Sequence, residues 1–95
     1  MKWSVMYHRD VEDDLDSIGP SAARRIIRVI DSKLTTSPLQ FGGLLAGNLA
    51  NFRKLRIGDF RVVYKTMEKK VIVYVLAVGP RRDKEIYKAA SKRLE

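Results

Sequence analysis

The side chains best placed to do chemistry lie in one stretch: Phe52-Arg53-Lys54-Leu55-Arg56-Ile57-Gly58-Asp59-Phe60-Arg61-Val62-Val63-Tyr64. Two runs of alternating apolar and polar residues flank Gly58-Asp59. A glycine in the first of two central positions suits the type II′ turn of a β-hairpin. A two-residue turn then dictates the register. Ile57 faces Phe60, Leu55 faces Val62 and Arg53 faces Tyr64, whereas on the other side Arg56 faces Arg61 and Lys54 faces Val63. One side is mostly apolar and the other strongly basic. Like charges directly opposite each other destabilise a sheet. A polyanion lying on that side offsets the cost; alternatively, the long side chains splay into solvent.

The charge distribution points the same way. The 95-residue chain has a formal net charge of +8. Residues 1–50 hold six Lys/Arg and six Asp/Glu, whereas residues 51–95 hold thirteen and five. All of the excess therefore lies in the half that begins with the hairpin, an asymmetry expected of a nucleic-acid or acidic-protein partner. There is no cysteine and a single histidine, His8. This excludes a disulfide framework and thiolate chemistry and argues against a zinc site. No apolar run approaches the roughly 18 residues that cross a bilayer. Arg9 and Asp10 interrupt any signal-peptide pattern, so a cytoplasmic protein without membrane contact is expected.

The elements that must position the hairpin can be read along the chain. Trp3, Val5 and Tyr7 alternate in Lys2–Tyr7, a short first strand, and His8 follows as a surface or capping residue. Val11, Leu15 and Ile18 form one stripe of a helix over Arg9–Ile18. Asp10, Glu12, Asp13, Asp14 and Asp16 cover the rest as a solvated face favoured by the helix dipole, in preference to a cation site. Gly19-Pro20 ends this helix and starts the next. The second helix is expected over Ser21–Thr35, burying Ala23, Ile26, Ile27, Ile30 and Leu34 with Arg24, Arg25, Arg28 and Lys33 outside. Pro38 stops it.

Residues 39–50 form a glycine-punctuated connection pinned by Phe41, Leu44 and Leu45, and without a following Gly-Lys-Ser/Thr they are no P-loop. After the hairpin and a polar turn at 66–70, Val71–Val78 is apolar at every position, a central strand buried on both sides. Asp83 is placed to cap a last helix through Arg93, with Ile86, Ala89, Ala90 and Leu94 as its stripe. The expected fold is a single α+β domain over residues 1–95, ordered β-α-α-β-β-β-α. It has an antiparallel four-stranded sheet packed by a helical hairpin, and a C-terminal helix.

Pro38 with Phe41-Gly42, Leu45-Ala46-Gly47, the run Lys54–Tyr64, Val78-Gly79-Pro80-Arg81 and Tyr87 together resemble the RelE/ParE superfamily, the toxins of type II toxin–antitoxin modules. The resemblance covers essentially the whole chain. The Arg81 to Tyr87 spacing is similar to the RelE branch of mRNA interferases. In that branch an mRNA is surrounded by lysines of the second strand, an arginine of the third, an arginine after the fourth and a tyrosine of the last helix. By motif position these fall on Lys54, Arg61, Arg81 and Tyr87, with Arg53, Arg56, Lys65 and Arg82 as further RNA contacts. The branch's other lysine has no match: Phe52 occupies its place, or Arg53 if the turn is shorter.

The resemblance implies a ribosome-dependent endoribonuclease that cuts mRNA in the A site and is neutralised by a RelB-like antitoxin. It implies operator DNA binding only through the toxin–antitoxin complex, and no cofactor or metal. A ParE-like gyrase inhibitor, or a degenerate toxin acting in a repressor complex, are the alternatives. The residues allow the nuclease chemistry. RNA is cut when its own 2′-hydroxyl attacks the adjacent phosphorus, which needs a proton acceptor, positive charge for the phosphorane and a proton for the leaving oxygen. The basic side of the hairpin offers no His or Glu. Crowding by Arg56 and Arg61 favours the neutral, proton-accepting form of Lys54. Arg56 and Arg61 can clamp phosphate, Arg81 can stabilise the leaving side, and Tyr87 can stack on a base or orient a proton.

Overall fold

The alternating pattern on either side of Gly58-Asp59 folds into the expected hairpin. The computed structural model describes residues 2–80, 82 and 84–94. Within it, β3 (Arg53–Ile57) pairs with β4 (Phe60–Met67) in the register 53↔64, 54↔63, 55↔62, 56↔61 and 57↔60. Gly58 has φ +59 while Asp59 keeps an ordinary negative φ, the combination a type II′ turn requires.

The remaining elements are β1 (Ser4–Tyr7), α1 (Val11–Ile18), α2 (Pro20–Val29), β2 (Gly43–Leu44), β5 (Ile72–Pro80) and α3 (Glu85–Lys92). His8, expected as a surface or capping residue, precedes the N-cap Asp10 of α1, and its Nδ1 accepts the Asp10 N–H at 3.0 Å. Gly19 separates α1 from α2, and Pro20 is the first residue of α2. The second helix passes into a π-helical turn over Ile30–Leu34. Ile26, Ile30 and Leu34, all buried, are spaced by four. Four residues overshoot one turn of α-helix. The wider i→i+5 turn brings Leu34 back onto the line of the other two. Among the described residues, no helix is long and apolar enough to cross a membrane.

The sheet has five strands in the order β1-β5-β4-β3-β2. The α+β class is as expected, but two details differ from the four-stranded antiparallel sheet. β1 runs parallel to β5, pairing Ser4 with Ile72 through Tyr7 with Val75. The glycine-rich connection supplies the extra strand, pairing Gly43 with Lys54 and Leu44 with Arg53. A two-residue strand of this composition carries no periodicity by which to announce itself.

The apolar run of β5 serves two cores. Between β4 and β5, Val63 pairs with Ala77 but Tyr64 pairs with Val75, so Leu76 is an inserted bulge residue. The bulge turns Leu76 and Ala77 to the same side, while Val73, Val75 and Val78 face the other. One core joins Val73, Val75, Val78, Leu55, Ile57, Val62 and Tyr64 to Val11, Ile26, Ile30 and Leu34 of the helical hairpin. The other joins Leu76, Ala77, Val63, Phe52 and Leu49 to Ile86 and Ala90 of α3. The last helix therefore docks on the basic side of the sheet, opposite α1 and α2.

Tyr64 ties the connection to the sheet. Its buried hydroxyl lies 2.9 Å from the Pro38 carbonyl and 2.6 Å from that of Phe41. Gly42 follows at φ +75, where a Cβ would stand 2.7 Å from the Lys54 carbonyl oxygen and 2.9 Å from the Tyr64 hydroxyl. Only glycine lets the loop pass so close before pairing with β3.

Burial pushes the Tyr64 phenol up to about 12, against a smaller lowering by Arg53. Its folded value thus exceeds the unfolded value of ~10. The stabilising contribution is complete below pH ~10 and is lost as pH rises toward 12. Tyr64→Phe should cost about 1–2 kcal/mol at neutral pH, because the single hydroxyl hydrogen shared by two carbonyls is lost. In thermal melts, the difference between wild type and Tyr64→Phe should shrink as pH is raised from 10 to 12.

Candidate nucleic-acid interface

Alternation places Phe52, Lys54 and Arg56 on the same side as Arg61, Val63 and Lys65. Lys54 lies opposite Val63, and Arg56 lies directly opposite Arg61. Arg61 and Lys65 are therefore the diagonal neighbours of Lys54, at the Cβ spacing of roughly 7–8 Å that long side chains bridge. Lys54 and Arg56 are exposed, and Arg61 and Lys65 are half-buried. No ion pair between described residues involves any of the four. The like charges expected from the sequence are thus assembled without carboxylate neutralisation among those residues.

Three contacts order this surface. Arg61 Nη1 donates to Tyr87 Oη at 2.5 Å, and its guanidinium carbon lies 5.5 Å from the centre of the Tyr87 ring. A guanidinium has no acceptor, so the Tyr87 oxygen accepts and the phenolic hydrogen is left to point elsewhere. Lys65 Nζ stands 5.3 Å from the centre of the Phe52 ring, a cation–π contact that holds the ammonium near the sheet. Arg56 Nε donates to the Gly58 carbonyl at 3.4 Å, drawing that guanidinium toward the turn. Arg61 Nε is buried and has no hydrogen-bond partner among the described residues. An unpaired buried donor costs stability.

Lys54, Arg61 and Tyr87 are thus brought to one side of the sheet, with Arg56 and Lys65 beside them. Arg82 is exposed in the segment leading to α3. Arg81, expected to stabilise the leaving side, and Asp83, expected to cap the last helix, lie outside the described residues. Arg53 is not gathered with the others. It projects from the opposite side of β3, where its Nη1 donates to the Gly42 carbonyl at 3.3 Å. The register also answers which residue stands two before Lys54 on the same side: it is Phe52, whose buried ring supports Lys65.

Sequence reasoning missed the charged contacts of Arg93, whose Nε lies 3.7 Å from Asp10 Oδ2 and whose closer partner is Asp14. Asp14, expected on the solvated acidic side of α1, instead makes a bidentate pair with Arg93. Its position three after Val11 and four before Ile18, at the edge of the apolar stripe, was the available signal.

The opposed arginines make stability and anion binding trade against each other. Arg56→Thr should raise stability by about 0.2–1 kcal/mol in denaturant titrations, since it removes a like-charge pair. The same variant should bind single-stranded RNA more weakly, with the log–log salt slope flatter by about 0.7 for each phosphate that is no longer neutralised.

Known proteins share both the fold and the sequence pattern. The profile of the family described as "ParE toxin of type II toxin-antitoxin system, parDE" matches residues 5–85. The mRNA interferase toxin RelE of Escherichia coli K12 is 44% identical over 41 residues, 43% of this chain and 43% of that protein. The match thus spans less than half the length of this curated relative. The toxin of the Mycobacterium tuberculosis RelBE2 complex superimposes with a TM-score of 0.81 at 24% identity, over 87% of this chain and 95% of that one. A free E. coli RelE variant superimposes with a TM-score of 0.79 at 22% identity, over all of both chains. With the profile covering most of its length, the chain belongs to the RelE/ParE superfamily of type II toxin–antitoxin toxins.

Proposed function

We propose that this toxin is an endoribonuclease that cuts mRNA on the ribosome by internal attack of a 2′-hydroxyl. The observation that carries the reading is the cationic side of the hairpin, with the Tyr87 hydroxyl held against Arg61. A phosphodiester lying across β3 and β4 would meet Arg56 and Arg61 as guanidinium forks, with Lys54 between Arg61 and Lys65. In its neutral form, Lys54 takes the 2′-hydroxyl proton as the oxygen attacks phosphorus. Arg61 stabilises the charge of the phosphorane. The bond to the 5′-oxygen breaks and that oxygen takes up a proton from water, leaving a 2′,3′-cyclic phosphate on one fragment and a 5′-hydroxyl on the other, while Lys54 returns its proton to solvent. Tyr87 can direct its free hydrogen toward the substrate, because Arg61 already donates to its oxygen. Arg81 is assigned to the leaving side by its place in the motif, and Arg82 to RNA contact.

Among the described residues the cluster brings together cations without a histidine or carboxylate base, so it depends on the substrate being delivered in a bent, near-attack geometry. Ribosomal RNA in the A site supplies that orientation in this reading. The partner that silences it is an antitoxin with acidic and apolar segments suited to the basic side and the ground around α3. The relative named an mRNA interferase and the solved RelBE complex support both parts of the proposal.

On induction, translation should stop, and 5′-end mapping should find new transcript ends only where ribosomes are engaged. Arg61→Ala should slow single-turnover cleavage on programmed ribosomes by ~10²–10³-fold, the size of a lost transition-state donor. Arg61→Ala with Arg81→Ala should abolish growth arrest in a protein that still folds. The family profile also carries the ParE name, so the same cells should be assayed for DNA damage. DNA damage without new transcript ends, or full toxicity of the double variant, would replace this reading with a topoisomerase-binding one.

A further inference from the structure

The charged contact between Asp14 and Arg93 joins three elements at one point. Arg93 follows the last residue of α3, and Asp14 lies within α1. Their side chains are only 13% and 14% exposed. Arg93 Nη1 donates to Asp14 Oδ2 at 2.7 Å and Nη2 to Oδ1 at 2.8 Å, a two-point clamp. Each partner also holds the backbone of β5. Arg93 Nη1 donates to the Leu76 carbonyl at 3.0 Å, and Asp14 Oδ2 accepts the Val78 N–H at 3.0 Å. These backbone groups flank the bulge, just beyond the point where β1 stops pairing at Tyr7 and Val75. The ion pair thus completes β5 where its neighbouring strand has run out.

What the clamp holds is the helix that carries Tyr87. α3 has eight residues, too few to be stable alone. Its apolar hold on the sheet rests chiefly on Ile86 and Ala90. A slip of one residue along the helix axis shifts a side chain by about 1.5 Å and turns it by roughly 100°. Either displacement breaks the 2.5 Å contact between Tyr87 and Arg61. We propose that Asp14 and Arg93 are positioning residues, which set α3 against β5 so that Tyr87 meets Arg61 at the cationic surface. This rests on the nuclease reading for its effect on rate, but not for its effect on geometry.

The test therefore has an arm without RNA. Tyr87 is replaced site-specifically by 3-fluorotyrosine and followed by ¹⁹F NMR in wild type, Asp14→Asn, Arg93→Gln and the milder Arg93→Lys. Amide exchange is measured on the same proteins. In the two neutralised variants the Tyr87 resonance should move toward its solvent-exposed position. Exchange in 85–92 should speed at least ~10-fold, while β3 and β4 stay within ~2-fold, the pattern of a local release. Arg93→Lys, which keeps the charge and one bond, should fall between and remain folded. Single-turnover cleavage should drop ~10–100-fold, as a misplacement near 1 Å does, with ribosome affinity unchanged. An unmoved Tyr87 resonance in the folded variants would overturn the proposal, as would exchange that accelerates uniformly over sheet and helix. If the wild type cuts no RNA but the resonance moves as described, the nuclease reading fails and the positioning role stands.

Discussion

Arg61 is where the demands on this small domain converge. Its guanidinium stands across the hairpin from Arg56, shares a side of the sheet with Lys54 and Lys65, and gives one donor to Tyr87 while another lies buried without a partner among the described residues. Electrostatics within the protein resists this arrangement, since no ion pair among the described residues neutralises the four cations. The hairpin tolerates it because the reverse side of the same strands is deeply apolar. Leu55, Ile57, Val62 and Tyr64 lie in the larger core beneath the helical hairpin. The stabilisation from burying them offsets the like-charge cost on the exposed side.

The second side of the sheet is divided between packing and recognition. Alternation lets β5, in the middle of the sheet, serve both cores, and the bulge at Leu76 gives it two successive residues facing α3. Those residues, with Val63 and Phe52, form a small apolar floor. α3 covers part of it, and the cations ring the rest. Phe52 belongs to both: its ring is part of the floor, and Lys65 rests over it. The apolar core thereby fixes the height and spacing of the charged groups, which a loop could not do as rigidly.

The parts of this design that were legible in the sequence are those governed by short-range rules. The two-residue turn at Gly58-Asp59 leaves no freedom in the register, so every β3–β4 pair could be read off. Gly19-Pro20 marked the helix junction for similar reasons. The parallel pairing of β1 with β5 and the side on which α3 docks arise from residues distant in sequence. Asp14 and Arg93 are 79 residues apart, and nothing local distinguishes Asp14 from its acidic neighbours except the edge of an apolar stripe. Arg53 was expected among the RNA contacts, whereas its register position places it on the Tyr64 side of the hairpin, away from Lys54.

The chemistry of the cationic surface turns on whether Arg61 and Tyr87 act as one unit. The decisive measurement is a double-mutant cycle of single-turnover cleavage with Arg61→Lys, Tyr87→Phe and the pair together. If Arg61 holds the phenol so that its hydrogen reaches the substrate, the double variant should be little slower than the worse single one. If the two rate reductions simply multiply, the residues act independently, and the hydrogen bond between strand and helix has no part in the chemistry.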